Sequence, residues 1–104
     1  MALLAAGLSL LTAQAQEPAA SADRGARILA DGCGRCHSLA PTGASPLPAA
    51  PPFRDVYDRF APLDLRAMLR QGMVSRHREM PQMQMSDEES DAVMAFLYAL
   101  AAGR

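Results

Sequence analysis

The sequence predicts an all-α domain with long loops, and three observations support this fold class. Apolar residues recur at i, i+3, i+4 spacing in three stretches of the chain. Helix-capping residues flank those stretches, and no stretch shows the alternation of a strand or the pattern of a βαβ unit. At 104 residues the chain is long enough for one domain only.

The N-terminal stretch is apolar and resembles an export signal. Residues 2–13 carry no charge, and Ala13-Gln14-Ala15 has the small-x-small form of a signal-peptidase site. We therefore predict a signal peptide over residues 1–15, which is removed, and a domain over residues 16–104. The apolar run is shorter than the roughly 20 residues that span a bilayer. We expect a periplasmic protein with no stable membrane span in its mature form.

Two predicted helices precede and follow a proline-rich loop. Ser21 is a suitable N-cap for a helix from Ala22 to about Ala30, after a short lead-in. Residues 38–53 contain five prolines and can form neither a regular helix nor an inner strand. Residues 54–60 can form a short helical turn.

Two further helices carry clear boundary signals. Proline at position 62 and glycine at position 72 bracket a helix with apolar residues on one face. The C-terminal helix begins after a capping box formed by Ser86 and Glu89 and runs from Asp87 to about Ala101. The segment between these two helices reads as a loop.

The cysteines of the chain lie in one short motif, Cys33-Gly34-Arg35-Cys36-His37, and there are no others. Two thiols at this spacing with a following histidine match the attachment site of a c-type haem. Each thiol can add to one haem vinyl group, and the imidazole of His37 can then ligate the iron. The sequence predicts one haem c, attached covalently through Cys33 and Cys36.

Two other kinds of site use the same residue types. A Cys-x-x-Cys pair can be a thiol redox couple, but such pairs belong to folds with alternating strands and helices. A zinc site would need Cys33, Cys36, His37 and His77 as its four ligands. Haem is favoured because the histidine follows directly after the second cysteine, as in c-type haem attachment sites. A covalent porphyrin would also supply apolar volume that so small a domain lacks.

Iron ligated by His37 also needs a group on its other face, and the loop before the last helix can supply one. Four candidates lie there: His77, Met80, Met83 and Met85. Met80 is favoured because Pro81 holds the backbone before it extended and because a thioether suits haem iron. His77 is the rival ligand, whereas Met83 and Met85 are expected to pack as apolar filler.

The charge balance excludes one class of partner. The net charge is −1 and the chain has ten arginines but no lysine, which is no signature of nucleic-acid binding. Most arginines precede a C-terminal segment rich in Asp and Glu. This asymmetry could orient a partner at long range, or it could be an ordinary solvated surface.

Five motifs together resemble the small bacterial class I monohaem cytochromes c. They are Gly25-x-x-Ile28-Leu29, the Cys33–His37 motif, Ala50-Pro51-Pro52-Phe53-Arg54, His77-x-x-Met80-Pro81 and Ala95-Phe96-Leu97-Tyr98. The resemblance implies a cytochrome c-like fold, with three to four short helices and long loops around one covalent haem. It also implies that the terminal helices cross, with Gly25 meeting Phe96.

The resemblance further implies a function and a set of site residues. Cys33, Cys36, His37 and Met80 would bind the cofactor, and His37 and Met80 would be the metal ligands. The protein would be a monomeric electron carrier, not an enzyme, that passes single electrons between redox protein partners. An open or His77-ligated distal site, suited to gas binding or peroxidase-like chemistry, is the alternative, followed by a haem-free thiol redox module.

Overall fold

The computed structural model describes residues 3–72, 80 and 82–104. Within these residues it contains four helices and no strand, so the all-α prediction is confirmed. The helices are α1 (Leu3–Gly32), α2 (Phe53–Arg59), α3 (Pro62–Gln71) and α4 (Asp87–Ala102). The starts and ends of α3 and α4 agree with the capping signals in the sequence.

The first helix is longer than its sequence pattern indicated. Helix α1 begins at Leu3, so the predicted lead-in over residues 16–20 and the N-cap at Ser21 are wrong. Alanine and leucine dominate this region, and both have high helix propensity. Pro18 lies inside the helix, where it lacks a donor, yet the helix continues through it. Removal of residues 1–15 stays a prediction, and no described helix is long and apolar enough to cross a membrane.

Helices α1 and α4 cross in close contact at Gly25. A Cβ atom built at Gly25 would lie 2.0 Å from the carbonyl oxygen of Ala92 and 2.9 Å from the Cα atom of Val93. Only a residue without a side chain fits this approach. The nearest atoms belong to the α4 backbone one turn before Phe96, whose half-buried ring packs at the edge of the core.

The hydrophobic core lies between α1, α4 and the two short helices. Leu29 and Val93 are fully buried, and Leu65 and Leu97 are each 1% exposed. The remaining buried members of this cluster are Phe53, Val56, Leu69, Met85 and Met94. Cys33 and Leu39 pack against it, so the cysteine motif and the proline-rich loop both adjoin the core.

Two ion pairs join α3 to the first turns of α4. Arg66 Nε lies 2.7 Å from Asp91 Oδ1, and Arg70 pairs with Asp87 one turn away. Two of the acidic side chains in the C-terminal segment are thus neutralised within the fold. This local pairing supports the ordinary-surface interpretation of the charge asymmetry over long-range orientation of a partner.

Tyrosines join α2 to the last helix on another side. The rings of Tyr57 and Tyr98 stack edge to face, with centroids 6.0 Å apart and planes at 88°. Beside them Arg104 donates two hydrogen bonds to the carboxylate of Asp58, at 2.6 and 2.8 Å. These contacts hold α2 against α4.

Candidate haem-binding site

The cysteine motif forms a tight turn directly at the end of α1. The backbone N–H of Cys33 donates to the carbonyl of Leu29 at 2.7 Å, which continues the helical bonding by one residue. The N–H groups of Cys36 and His37 then both donate to the carbonyl of Cys33, at 3.2 and 3.0 Å. This turn brings two half-buried free thiols and one imidazole to the same end of the helix.

The thiol of Cys33 lies in an environment that keeps it protonated. Burial raises its pKa, and the neighbouring thiol of Cys36 raises it further. Catalytic dithiols depend on the opposite shift, because their attacking thiolate is stabilised by a lowered pKa. The shift at Cys33 is therefore opposite to the one on which thiol exchange depends.

The imidazole of His37 is oriented by the loop that follows it. Its Nδ1 lies 2.7 Å from the carbonyl oxygen of Pro51. A carbonyl can only accept, so Nδ1 carries the proton and Nε2 keeps its lone pair for a metal. Histidines that ligate metals usually donate their other ring N–H in this way. The donor set of His37 and the two thiols fits a covalently attached haem.

Open space borders the same imidazole. An open depression of about 530 Å³ is lined in part by Arg35, His37, Leu39 and Pro46. On another side the ring contacts Phe53, with centroids 5.3 Å apart. His37 is thus held firmly without being enclosed in the core.

The proline-rich loop is folded back on the motif by hydrogen bonds. The N–H of Phe53 donates to the carbonyl of Ser38 at 2.9 Å, and the N–H of Leu47 donates to the carbonyl of Cys36 at 3.1 Å. The buried hydroxyl of Ser45 accepts from the N–H of Ser38 at 3.0 Å. The loop is therefore a packed part of the site, although the side chain of Leu47 remains 41% exposed.

The methionines of the segment between α3 and α4 have different surroundings. Met85 is 8% exposed and belongs to the core, which confirms its expected role as apolar filler. The half-buried Met83 lies against α1, since a Cβ at Gly32 would be 2.8 Å from its Cε. Met80 is half-buried, and its role as a ligand stays a prediction. The rival His77 lies outside the described residues.

The zinc alternative finds no support in the part of the chain that the structure describes. No group of three or more His, Cys, Asp or Glu side chains converges there in a metal-binding arrangement. The fourth candidate ligand, His77, lies outside these residues. Attachment of the two thiols and the imidazole to different atoms of one porphyrin requires no such convergence.

Two groups near the motif were not identified from the sequence. The carbonyl of Pro51 orients His37, and the guanidinium of Arg54 binds the proline-rich loop. The expectation that a metal-ligating histidine donates its second N–H could have prompted a search for an acceptor. No pattern in the sequence pointed to position 51 as that acceptor, because any residue carries a carbonyl.

Comparisons with known proteins agree with this site. Residues 20–97 match the sequence model of the family described as cytochrome c oxidase, cbb3-type, subunit III. Searches against curated proteins and against solved structures find no significant match. The matched region includes the cysteine motif, the helix crossing and the segment with Met80, and members of this family carry covalently bound haem c. The chain belongs to this family and is a small monohaem class I cytochrome c with an all-α, cytochrome c-like fold.

Proposed function

We propose that the protein is an exported electron carrier whose single haem iron is ligated by His37 and Met80. The observation that carries this proposal is the hydrogen bond from His37 Nδ1 to the carbonyl of Pro51, which leaves Nε2 free for iron. Membership of a cytochrome c family supports the carrier role. The protein passes single electrons between redox protein partners and is not itself an enzyme.

Each residue of the site has a defined part in this function. The haem supplies a one-electron iron couple, and Cys33 and Cys36 hold it through thioether bonds. His37 is kept in one orientation and one tautomer by the carbonyl of Pro51. Met80 would be the second protein ligand of the iron. A site in which both ligands come from the protein would suit electron transfer better than the binding of small molecules.

The location follows from the N-terminal segment. Residues 1–15 direct export and are cleaved after Ala15, and the domain over residues 16–104 works as a monomer in the periplasm. Mass spectrometry of protein purified from the periplasmic fraction tests this directly. A chain that begins at Gln16 and carries the added mass of one haem is expected. A chain that retains residues 1–15 would overturn the cleavage site.

Covalent attachment is tested by a haem stain after denaturing electrophoresis. The wild-type band is expected to stain, because only a covalent haem survives denaturation. Replacing both Cys33 and Cys36 by Ala should abolish the stain and leave a largely unfolded chain, since the cofactor completes the core. A stained double variant or an unstained wild type would refute the attachment.

The distal ligand separates the electron carrier from its main alternative. Carbon monoxide added to the reduced wild-type protein is expected to bind slowly and incompletely, because Met80 occupies the iron. Rapid and complete binding would indicate an open distal site of the gas-binding or peroxidase-like kind. Retention of a blocked site in a Met80→Ala variant would point instead to His77 or another ligand.

A further inference from the structure

We propose that Arg54 is a positioning residue for the axial histidine. It acts through the proline-rich loop that carries the carbonyl of Pro51 and does not itself touch His37 or the cofactor. The inference rests on the proposed role of His37 as an iron ligand. It adds a residue outside the cysteine motif that sets the electronic properties of the iron.

The guanidinium of Arg54 fastens the outer part of the loop. Its Nη1 donates to the carbonyl of Ala40 at 3.1 Å, and its Nη2 donates to the carbonyl of Gly43. The side chain is only 19% exposed, although both acceptors lie in exposed residues. One side chain thus binds two points of the loop that are three residues apart.

The same loop is closed at its neck, next to the histidine. The N–H of Phe53 donates to the carbonyl of Ser38, which directly follows His37. Pro51 lies on the other side of this contact, two residues before Phe53 and three residues before Arg54. The loop is therefore fastened at this neck, at the guanidinium, and by the hydrogen bonds of Leu47 and Ser45 described above. The carbonyl that accepts from His37 belongs to the segment between Gly43, which the guanidinium binds, and Phe53 at the neck.

Arginine has the geometry that this task requires. Its planar group presents several N–H donors in a fixed arrangement, so it can satisfy two carbonyls at once, whereas a lysine ammonium is a single point charge. Gly43 has a φ angle of 90°, a conformation that glycine adopts readily. The turn at Gly43 thus presents a carbonyl that the guanidinium of Arg54 binds.

Loosening this contact has a predictable effect on the iron. A histidine that donates its second N–H to a carbonyl is a more basic ligand and stabilises the ferric state. When the loop is less firmly held, the hydrogen bond from His37 Nδ1 to the carbonyl of Pro51 weakens. The ferrous state then becomes more stable relative to the ferric state. The ratio of reduced to oxidised protein at a fixed applied potential should rise by up to about tenfold, or about 59 mV for a one-electron couple.

The test compares Arg54→Gln with Arg59→Gln in the haem-loaded protein. Both changes remove one positive charge from α2, but Arg59 is an exposed residue at the end of the helix. We expect a raised potential and faster solvent exchange of the His37 Nδ1 proton in Arg54→Gln only. A third variant, Asp55→Asn, removes the ion pair between Arg54 Nε and Asp55 Oδ1, which are 4.0 Å apart. It keeps both hydrogen bonds from Arg54 to the loop, so it should resemble the wild type.

A further variant separates positioning from general stability. Arg54→Lys keeps the charge and can reach one carbonyl at a time, so its potential should lie between those of the wild type and Arg54→Gln. If the Arg54→Gln protein does not accumulate, the shift in the reduction potential of Arg54→Lys tests the proposal instead. Equal potentials and proton exchange in Arg54→Lys and the wild type, or equal shifts in Arg54→Gln and Arg59→Gln, overturn the proposal. Failure of haem to attach to the wild type would instead refute the proposed function.

Discussion

The backbone N–H of Met85 donates to the carbonyl of Leu69 at 2.9 Å, so the chain returns to α3 before α4 begins. Next to this contact, the side-chain amide of Gln84 donates to the carbonyl of Gln71 at 3.2 Å. The segment that contains Met80 is therefore closed at its base. Its two ends are joined to each other by these two hydrogen bonds, independently of what Met80 binds.

Met80 and Met85 should respond differently to substitution, because Met80 is the proposed ligand and Met85 packs in the core. Met80→Ala should open the sixth position of the iron and lower the reduction potential, because thioether ligation raises it. Met85→Ala should leave the absorption spectrum of the oxidised haem nearly unchanged. It should lower the free energy of unfolding by about 2–5 kcal/mol, as is usual for removing a buried methionine side chain.

Spectra and denaturant unfolding of both variants check this ordering. Met83→Ala is a useful third variant, because its side chain packs beside Gly32 and is not expected to reach the iron. Loss of the Met-ligated spectrum in Met83→Ala or Met85→Ala, with Met80→Ala unaffected, would show that the ligand was assigned to the wrong methionine.

Gly25→Ala should strongly destabilise the fold. The added methyl group would meet the backbone of Ala92 at 2.0 Å, and helix backbone cannot move aside as a flexible side chain can. Overpacking typically costs about 1–3 kcal/mol and occasionally more, and we expect the upper end here. Thermal unfolding of the haem-loaded protein measures the effect.

Gly103→Ala is the matched control for the helix crossing. A Cβ there would be 3.7 Å from its nearest neighbours, which is an ordinary van der Waals contact. Its melting temperature should match that of the wild type. A Gly25→Ala variant as stable as Gly103→Ala would mean that the two helices do not approach so closely.

Ser45 and Ser90, which are the buried serines among the described residues, should respond in opposite ways to replacement by alanine. Ser90 is fully buried in α4, and its hydroxyl has no hydrogen-bond partner among the described residues. Ser45 is also buried, but its hydroxyl accepts from the N–H of Ser38. An unmade hydrogen bond in the interior costs about 1–3 kcal/mol. Ser90→Ala should thus stabilise the protein, whereas Ser45→Ala should destabilise it by leaving that N–H unpaired.

Equilibrium unfolding of the two variants side by side tests the serine prediction. Each substitution removes one hydroxyl oxygen, so the change in side-chain volume is the same at both positions. Destabilisation of similar size in both would show that Ser90 also has a partner in solution.

Acid should weaken the contact between α3 and α4. A hydrogen bond from Arg66 holds the pKa of the Asp91 carboxyl below its usual range. A carboxyl whose pKa is lowered by folding stabilises the protein above its unfolded pKa, and that contribution is lost as the pH falls through the folded value. The Asp91 side chain is exposed and that of Arg66 is half-buried, so salt should reduce the contribution as well.

The Asp91→Asn variant isolates this acid dependence. Stability measured from neutral pH down to the acid range should fall less steeply in the variant than in the wild type. The two curves should converge at the acid end, where Asp91 is protonated in both states. Parallel curves over the whole range would show that the ion pair contributes nothing measurable.

Features set by local sequence were predicted well. The capping box of Ser86 and Glu89 forms as expected, with hydrogen bonds of 3.1 and 3.0 Å, and α3 starts at Pro62 and stops before Gly72. These signals act over three or four residues, so they can be recognised without knowledge of the fold. The start of α1 was predicted wrongly because residues 16–20 were assigned to a lead-in after the predicted cleavage site and Ser21 to an N-cap. The alanine and leucine residues of this region favour a helix that continues through both positions.

Features set by contacts between distant residues were predicted less completely. The spacing of Cys33, Cys36 and His37 identified the cofactor, but the acceptor for His37 is a backbone carbonyl fourteen positions away. The sequence left open whether the acidic segment orients a partner or is an ordinary surface, and its pairing with Arg66 and Arg70 supports the second interpretation. Such pairings depend on which helices become neighbours, and the sequence pattern of one helix does not contain that information.

The crossing of α1 and α4 also has a consequence for the order of events during synthesis. Leu29, one turn before the cysteine motif, is buried in the same cluster as Val93 and Leu97 near the end of the chain. The interior beside Cys33 therefore cannot close until the last helix has been made. A chain that lacks α4 cannot bury Leu29 in this way, so the packing beside Cys33 depends on the last helix.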